Sequence, residues 1–330
     1  PEMRRIVTKV VDEEFETSLT RQLAVIEDEL VKTAVADSPF VTEAARHIIN
    51  AGGKRFRPLL VLLGSHFGGD VDEADLVRAA LVVELTHVAS LYHDDVMDDA
   101  DLRRGAPSAN RRWDNSIAIL VGDYLFARAS TTVADLGTDY VRLQAETFAR
   151  LVQGQIAETR GPLDGEDPLA HYLQVVADKT GSLIATSAVF GSMVAGASQD
   201  VVDALAAFGE QIGVVFQLSD DIIDITSNVT GKTPGTDLRE GVPTLPTLML
   251  QASTDPADQP LKDLIASDLS DDARLGEALS ALRAHPVIEL ARAEVQRHAD
   301  EALAHLAPLP EGPAKSALTK VCTDLVSRSN

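Results

Sequence analysis

The sequence predicts an all-α protein folded as one large helical domain, on three observations. Strand signals are scarce: aromatic residues make up 4% of the chain, and no series of alternating apolar and polar segments occurs. Helix signals run throughout, with Ala, Leu, Glu and Arg recurring at three- and four-residue spacing between Pro and Gly punctuation. Finally, no loop is long or biased enough to link domains, and no segment repeats at a fixed period. The 330 residues, 45% of them apolar, therefore read as a single domain over residues 1–330 with a large core.

Taken in order, the pattern places helices over residues 4–36, 40–51, 57–67, 71–99, 113–135, 138–159, 167–178 and 180–195. Further helices follow over 199–227, 242–252, 257–268, 271–284, 286–305 and 314–327. Loops fall at GGKRFRP (52–58), DLRRGAPSANR (101–111), RGPLDGEDP (160–168) and NVTGKTPGTDLREGVP (228–243). Two helices stand apart. The stretch AALVVELTHVASLYHDDVMDD within 71–99 is apolar on nearly every face, as is FGEQIGVVFQLSDDIIDI within 199–227. An all-round apolar helix belongs in the core, yet both of these end in a cluster of aspartates.

Composition narrows the function. Charged residues are 24% of the chain and the formal net charge is -22, so most of the surface repels nucleic acid and anionic lipid. No apolar run is expected to be long enough to span a bilayer, and the N-terminal stretch lacks the apolar core of a signal peptide. The single cysteine, Cys322, excludes an intramolecular disulfide and a cysteine-rich metal site, which fits the cytoplasm. An anionic substrate would need a local exception to the global charge.

The aspartate clusters carry the chemistry. The first contains Asp94, Asp95 and Asp98, and the second Asp220, Asp221 and Asp224; each has the form D-D-x-x-D. On a helix the first and last aspartates of this pattern share a face, with the middle one beside it. Like charges at that spacing cost roughly 0.2–0.5 kcal/mol. The helix C-terminus repels carboxylates further, and burial adds a desolvation cost. A hard divalent cation offsets all three, and Mg2+ typically takes one or two carboxylates together with substrate phosphates and water. A lone acidic helix end is ordinarily a solvated charge run, but the same pattern twice, each time on a strongly apolar helix, points to metal.

Basic residues supply the local exception. They are Lys54, Arg55 and Arg57 in GGKRFRP, Arg103 and Arg104 just after the first cluster, Lys179 at an expected helix break before Gly181, and Lys232 after the second cluster. Arg suits bidentate phosphate contacts and Lys supplies a point charge. TGKTPG lacks the frame of a Walker A loop and follows no strand. Glu84 and His87 form one E-x-x-H, but a di-iron bundle needs two such motifs and two more glutamates. No nucleophile–His–acid triad can be argued from order or spacing.

These motifs, in this order, resemble the trans-type polyprenyl diphosphate synthases. The resemblance covers about residues 20–330 through GGKRFRP, ELTHVASLYHDDVMDDADLRRG, DKTGSL, FQLSDDIIDI and GKTPGTDLREG. It implies the isoprenoid synthase fold, a helical bundle around a deep central cavity, in a homodimeric enzyme. It also implies Mg2+, three ions per site, with Asp94, Asp98 and Asp220 as ligands and all six aspartates plus Lys179 as catalytic groups. Lys54, Arg57, His87 and Arg104 match positions that bind isopentenyl diphosphate. Arg103, Lys179, Thr180, Gln217 and Lys232 match positions around the allylic diphosphate. Asp99 and Asp101 are additional to the motif and are not expected as ligands, and Arg328 alone contributes a positive charge at the C-terminal end. Family members that make short products floor the cavity with a bulky aromatic four or five residues before the first aspartate. Here those positions are Ser90 and Ala89, which implies a medium to long all-trans product, whereas Tyr92 points elsewhere. Alternatives are a shorter-chain synthase, a terpene cyclase or one subunit of a heteromeric synthase. A cyclase has only one diphosphate to bind, so the full isopentenyl diphosphate set argues against it.

Overall fold

The computed structural model describes residues 13–227 and 234–330, so Lys232 lies outside the described residues. The helices are α1 (Glu13–Thr33), α2 (Pro39–Asn50), α3 (Phe56–Gly64), α4 (Glu73–Met97), α5 (Ala109–Arg112), α6 (Asn115–Ala134), α7 (Thr138–Arg160) and α8 (Pro168–Val176). They continue with α9 (Ser182–Val194), α10 (Gln199–Thr226), α11 (Thr236–Glu240), α12 (Leu245–Gln251), α13 (Gln259–Ala266), α14 (Asp272–Ala284), α15 (Val287–Leu306) and α16 (Pro313–Ser327). A two-residue hairpin, β1 (Leu102–Arg103) paired antiparallel with β2 (Ala106–Pro107), makes the only sheet among the described residues. The all-α expectation holds.

Helix starts follow local chemistry. Side chains at the N-cap accept from freed backbone N–H groups: Asp72 from Asp75 at α4, Asp114 from Ile117 at α6, Asp167 from Leu169 and Ala170 at α8, and Asp271 from Arg274 at α14. Each such cap contributes about 1 kcal/mol. Pro39 and Pro168 open α2 and α8, where a missing N–H costs nothing. At the far end of α4, the N–H of Asp98 bonds Asp94 O and Asp99 turns left-handed at φ 51°.

Among the described residues the chain divides into two compact units. The first comprises residues 1–149, 183–209 and 308–320. One of its clusters gathers Leu30, Ala44, Ala45, Ile48 and Ile49 with Leu81, Leu85, Val88, Ala89 and Tyr92 of α4 and Ala118, Val121 and Leu125 of α6. α4 and α6 approach closely at Gly122, where a Cβ would fall 2.4 Å from His93 Nε2 and 3.2 Å from Ala89 O. The second unit comprises residues 150–182, 210–307 and 321–330, and one of its clusters joins Ile225, Leu238 and Leu250 to Leu275, Leu279, Leu282, Val287 and Ile288.

Three expectations are corrected. The loop expected over 101–111 contains the hairpin and α5, and that over 228–243 contains α11. The expected break before Gly181 is instead a π turn, Ala177–Gly181, running unbroken from α8 into α9. By length and composition α6 and α10 each carry a window, of mean hydropathy 1.3 and 1.4, that could cross a membrane. Neither is an uninterrupted apolar run, and one or two such windows also occur in core helices.

Candidate active site

In the first unit the acidic end of α4 sorts its carboxylates by burial. Asp95 is fully buried. Arg103, carried in by β1, donates to it from Nε at 3.1 and 3.2 Å and from Nη2 at 2.5 Å. Asp94 is half-buried and Asp98 exposed. The extra aspartates are accounted for by Arg111, which bonds Asp101 Oδ1 at 2.5 Å and Asp99 Oδ1 at 2.9 Å.

The basic residues of this unit differ in their tasks. Lys54 is exposed. Arg57 is partly exposed, but its Nε is buried and makes no hydrogen bond. Burial brings its pKa down to about 10, Arg104 adding to the fall and Glu84 opposing it. Arg57 is therefore still charged at neutral pH, with a buried donor to offer an anion. Arg104 donates from Nη1 to Ile48 O at 3.0 Å and to Gly52 O, so it braces the loop that presents Lys54. Burial, then the positive field of Arg57, Arg104, Arg103 and Arg55, holds His87 well below the usual imidazole range, and it is neutral at pH 7.

Arg55, counted from the sequence among the cations for an anionic partner, is instead spent inside the protein. It is buried in a left-handed conformation at φ 53°. It donates to Glu27 at 2.8 and 2.9 Å, to Glu84 at 3.2 Å, and to Ile49 O and Gly52 O. Glu84, only 1% exposed, is thus the internal counter-charge of the basic loop, and no metal ligand. The E-x-x-H reading closes there.

The second unit repeats the sorting of carboxylates. Asp221 is 1% exposed. Its carboxylate accepts from Tyr172 Oη on α8, from Gln217 Nε2 at 3.1 Å and from Leu245 N at the start of α12 at 3.1 Å. Burial pushes its pKa up to about 7 against the pull of those three donors. Asp220 is one-third exposed and pairs with Arg328 at 3.0 Å. Arg328 also donates to Ser219 Oγ and Phe216 O and lies 4.7 Å from the Phe216 ring centre. Asp224 is half-buried.

Lys179, Thr180, Gln217, Tyr172 and Asp221 line one cavity of about 440 Å³, whose remaining walls include Val175, Val176 and Leu248. Glu158 enters the same cavity and pairs with Lys179 at 2.9 Å. Glu158 and Tyr172 escaped the sequence reading because no local pattern marks them. Only the fold brings Tyr172 to Asp221, 49 residues on.

Among the described residues no three His, Cys, Asp or Glu side chains gather as a ready-made metal site. The donor set still fits a hard cation: at both helix ends the middle carboxylate is consumed by protein donors, and the outer ones stand on a common face. Such a set leaves room for phosphate oxygens and water in the coordination shell.

The two positions expected to set product length separate in the structure. Ala89 belongs to the cluster between α4 and α6. Ser90, 8% exposed, lies one turn before Asp94 on the face of the outer aspartates. Tyr92 is fully buried, and its hydroxyl donates to Ala44 O at 2.5 Å, away from that face as expected.

Comparison with known proteins agrees with this architecture. The family model described as polyprenyl synthetase matches residues 38–282. A nonaprenyl diphosphate synthase from Mycobacterium tuberculosis is 47% identical over 290 residues, covering 87% of each chain. Component 2 of a heptaprenyl diphosphate synthase from Geobacillus stearothermophilus is 38% identical, over 91% of this chain and 92% of that one. A solved geranylgeranyl pyrophosphate synthase from Corynebacterium glutamicum, complexed with calcium and isoprenyl diphosphate, superposes with a TM-score of 0.87 at 44% identity, covering 97% of this chain and 99% of that one. With its paired acidic helix ends and its basic loop in the expected order, this chain belongs to the polyprenyl synthetase family, whose members transfer prenyl groups.

Proposed function

We propose that this protein condenses isopentenyl diphosphate with an allylic diphosphate to give an all-trans polyprenyl diphosphate of medium to long chain. The observation that carries the reading is the matched sorting of the two D-D-x-x-D motifs, with middle carboxylates tied into the protein and outer ones on a common helix face. Asp94, Asp98 and Asp220 are the residues that would hold Mg2+, three ions per site being the family's number. Bound there, the ions neutralise charge that develops on the departing pyrophosphate. Lys179, Thr180, Gln217, Arg103 and Lys232 serve the allylic diphosphate; Asp224 completes the second motif. Lys54, Arg57, Arg104 and neutral His87 serve isopentenyl diphosphate. The allylic cation left by ionisation is attacked by the isopentenyl double bond, and apolar walls keep water from quenching it. No covalent enzyme intermediate is required.

The names of the nonaprenyl and heptaprenyl relatives support a long product, as does the small Ser90 on the Asp94 face. The 1–330 chain acts as one domain, since neither compact unit is a continuous stretch of sequence. A homodimer is supported by outward apolar side chains on α6, Ile119 and Leu120. Cys322 is buried and unpaired, in keeping with a reducing compartment such as the cytoplasm.

The test gives the purified chain radiolabelled isopentenyl diphosphate, an allylic primer and Mg2+, with mass spectrometry after dephosphorylation. The expected product exceeds twenty carbons and falls at roughly thirty to fifty, the tail running down α4 at about 1.5 Å per residue. A product of only fifteen carbons refutes the length assignment. One relative is a synthase component, so turnover that requires a second protein would favour the heteromeric reading.

A further inference from the structure

We propose that Tyr172, Gly154 and Gly213 are positioning residues for the diphosphate, holding the π turn at Lys179 and Thr180 in register with the second aspartate motif. The inference rests on the synthase reading for the identity of the anion, and on geometry for everything else.

A π turn adds one residue to an α-helix, is rare, and occurs frequently at functional sites. It persists where its surroundings impose it. Here Ala177–Gly181 is gripped on two sides. Gly154 of α7 faces it so closely that a Cβ there would fall 2.8 Å from Asp178 Cβ and 2.9 Å from Lys179 Cγ. Gly213 of α10 touches it from the other side, where a Cβ would fall 2.6 Å from Gly181 Cα. Gly181 completes the fit, since a Cβ on it would lie 2.8 Å from Glu210 O. Arg150 ties the assembly together, bonding Asp178 at 3.0 Å and also Glu210.

Upstream of the turn the same helical run is pinned once more. Tyr172 donates its hydroxyl to Asp221, the residue next to Asp220 on α10. The grip and the pin both join the Lys179 run to the helix that bears the second motif. Lys179, Thr180, Tyr172 and Asp221 consequently line one cavity. A shift of about 1 Å in such a group costs on the order of a hundredfold in rate, so small contacts outside the chemistry have leverage over it.

The experiment uses the full chain and three variants: Tyr172→Phe, which deletes one hydroxyl, Gly213→Ala, which adds one methyl, and Lys179→Ala, which calibrates the loss of the cation. Inorganic pyrophosphate with Mg2+ is titrated by calorimetry, melting is followed in parallel, and the KM of each substrate is measured in turn. Tyr172→Phe and Gly213→Ala are expected to weaken pyrophosphate about tenfold or more and to raise the allylic KM alike. The isopentenyl KM is expected to hold within about twofold. A purely structural role would lower the melting temperature and leave the affinity of the folded protein intact, and that result overturns the proposal. Because pyrophosphate binding needs no turnover, a wild-type chain that binds pyrophosphate yet forms no polyprenyl product would sink the reading of a self-sufficient synthase while these variants still decide this one. Should Gly213→Ala fail to fold, Tyr172→Phe decides alone.

Discussion

Two aspartates one residue apart do opposite work at the end of α4. Asp95 is fully buried and spends its carboxylate on Arg103, whereas Asp94 is half-buried on the face it shares with Asp98. Removing one partner of a buried ion pair typically costs about 3–5 kcal/mol, so Asp95→Ala is expected to lower the melting temperature clearly. Asp94→Ala and Asp98→Ala relieve repulsion of roughly 0.2–0.5 kcal/mol, Asp220→Ala gives up a partly exposed pair with Arg328, and all three are expected to lower the melting temperature less than Asp95→Ala does. Their turnover is expected to fall by several kcal/mol of transition-state stabilisation, on the scale of Lewis-acid catalysis. Calorimetry and steady-state rates at saturating Mg2+ check the contrast; near-normal rates in the three outer variants would remove the metal assignment. The spacing D-D-x-x-D was readable as a shared helix face. Which carboxylate the protein keeps for itself was not, because that depends on Arg103, Tyr172 and Leu245 arriving from other elements.

At the scale of elements, α4 was readable as a buried helix from its all-round apolar pattern, and its observed end at Met97 falls two residues from the expected one. The hairpin at 102–107 was not readable, since two-residue strands carry no period. Nor was the π turn, because a one-residue insertion in a helix leaves no compositional mark, and Gly181 looked like an ordinary helix stop. The faces of α4 make a sharper prediction than spacing alone. Ser90→Phe places a ring on the Asp94 face and is expected to shorten the product by one or more isoprene units, read by mass spectrometry. Ala89→Phe drives the same ring into the cluster beside Gly122. Overpacking there costs typically about 1–3 kcal/mol, seen as a lower melting temperature. A folded Ser90→Phe enzyme with unchanged product would place the growing tail along another face.

The whole molecule carries a large negative charge. Its net charge of -22 made nucleic acid an implausible partner from the outset, and the cationic exceptions are spent locally on Glu27, Asp95 and loop carbonyls or kept for an anion. That charge also resists self-association, since a homodimer doubles it. The proposed contact therefore has to draw on apolar burial. On α6, Leu120 is 61% exposed and Ile119 42% exposed, beside Ala127 and Ala134, which also face outward. Burying a side chain of that size contributes about 1.5–3 kcal/mol, counted once per protomer across a twofold interface. Leu120→Glu replaces this with a carboxylate facing its own copy, and it is expected to shift the chain to monomer in sedimentation. Association between like-charged chains is opposed by a repulsion that salt screens, with a Debye length near 30 Å at 0.01 M and about 8 Å at 0.15 M. The proposed wild-type dimer is accordingly expected to tighten as salt rises through that range, the reverse of a contact held by ion pairs. A Leu120→Glu chain that sediments like wild type would move the interface off α6.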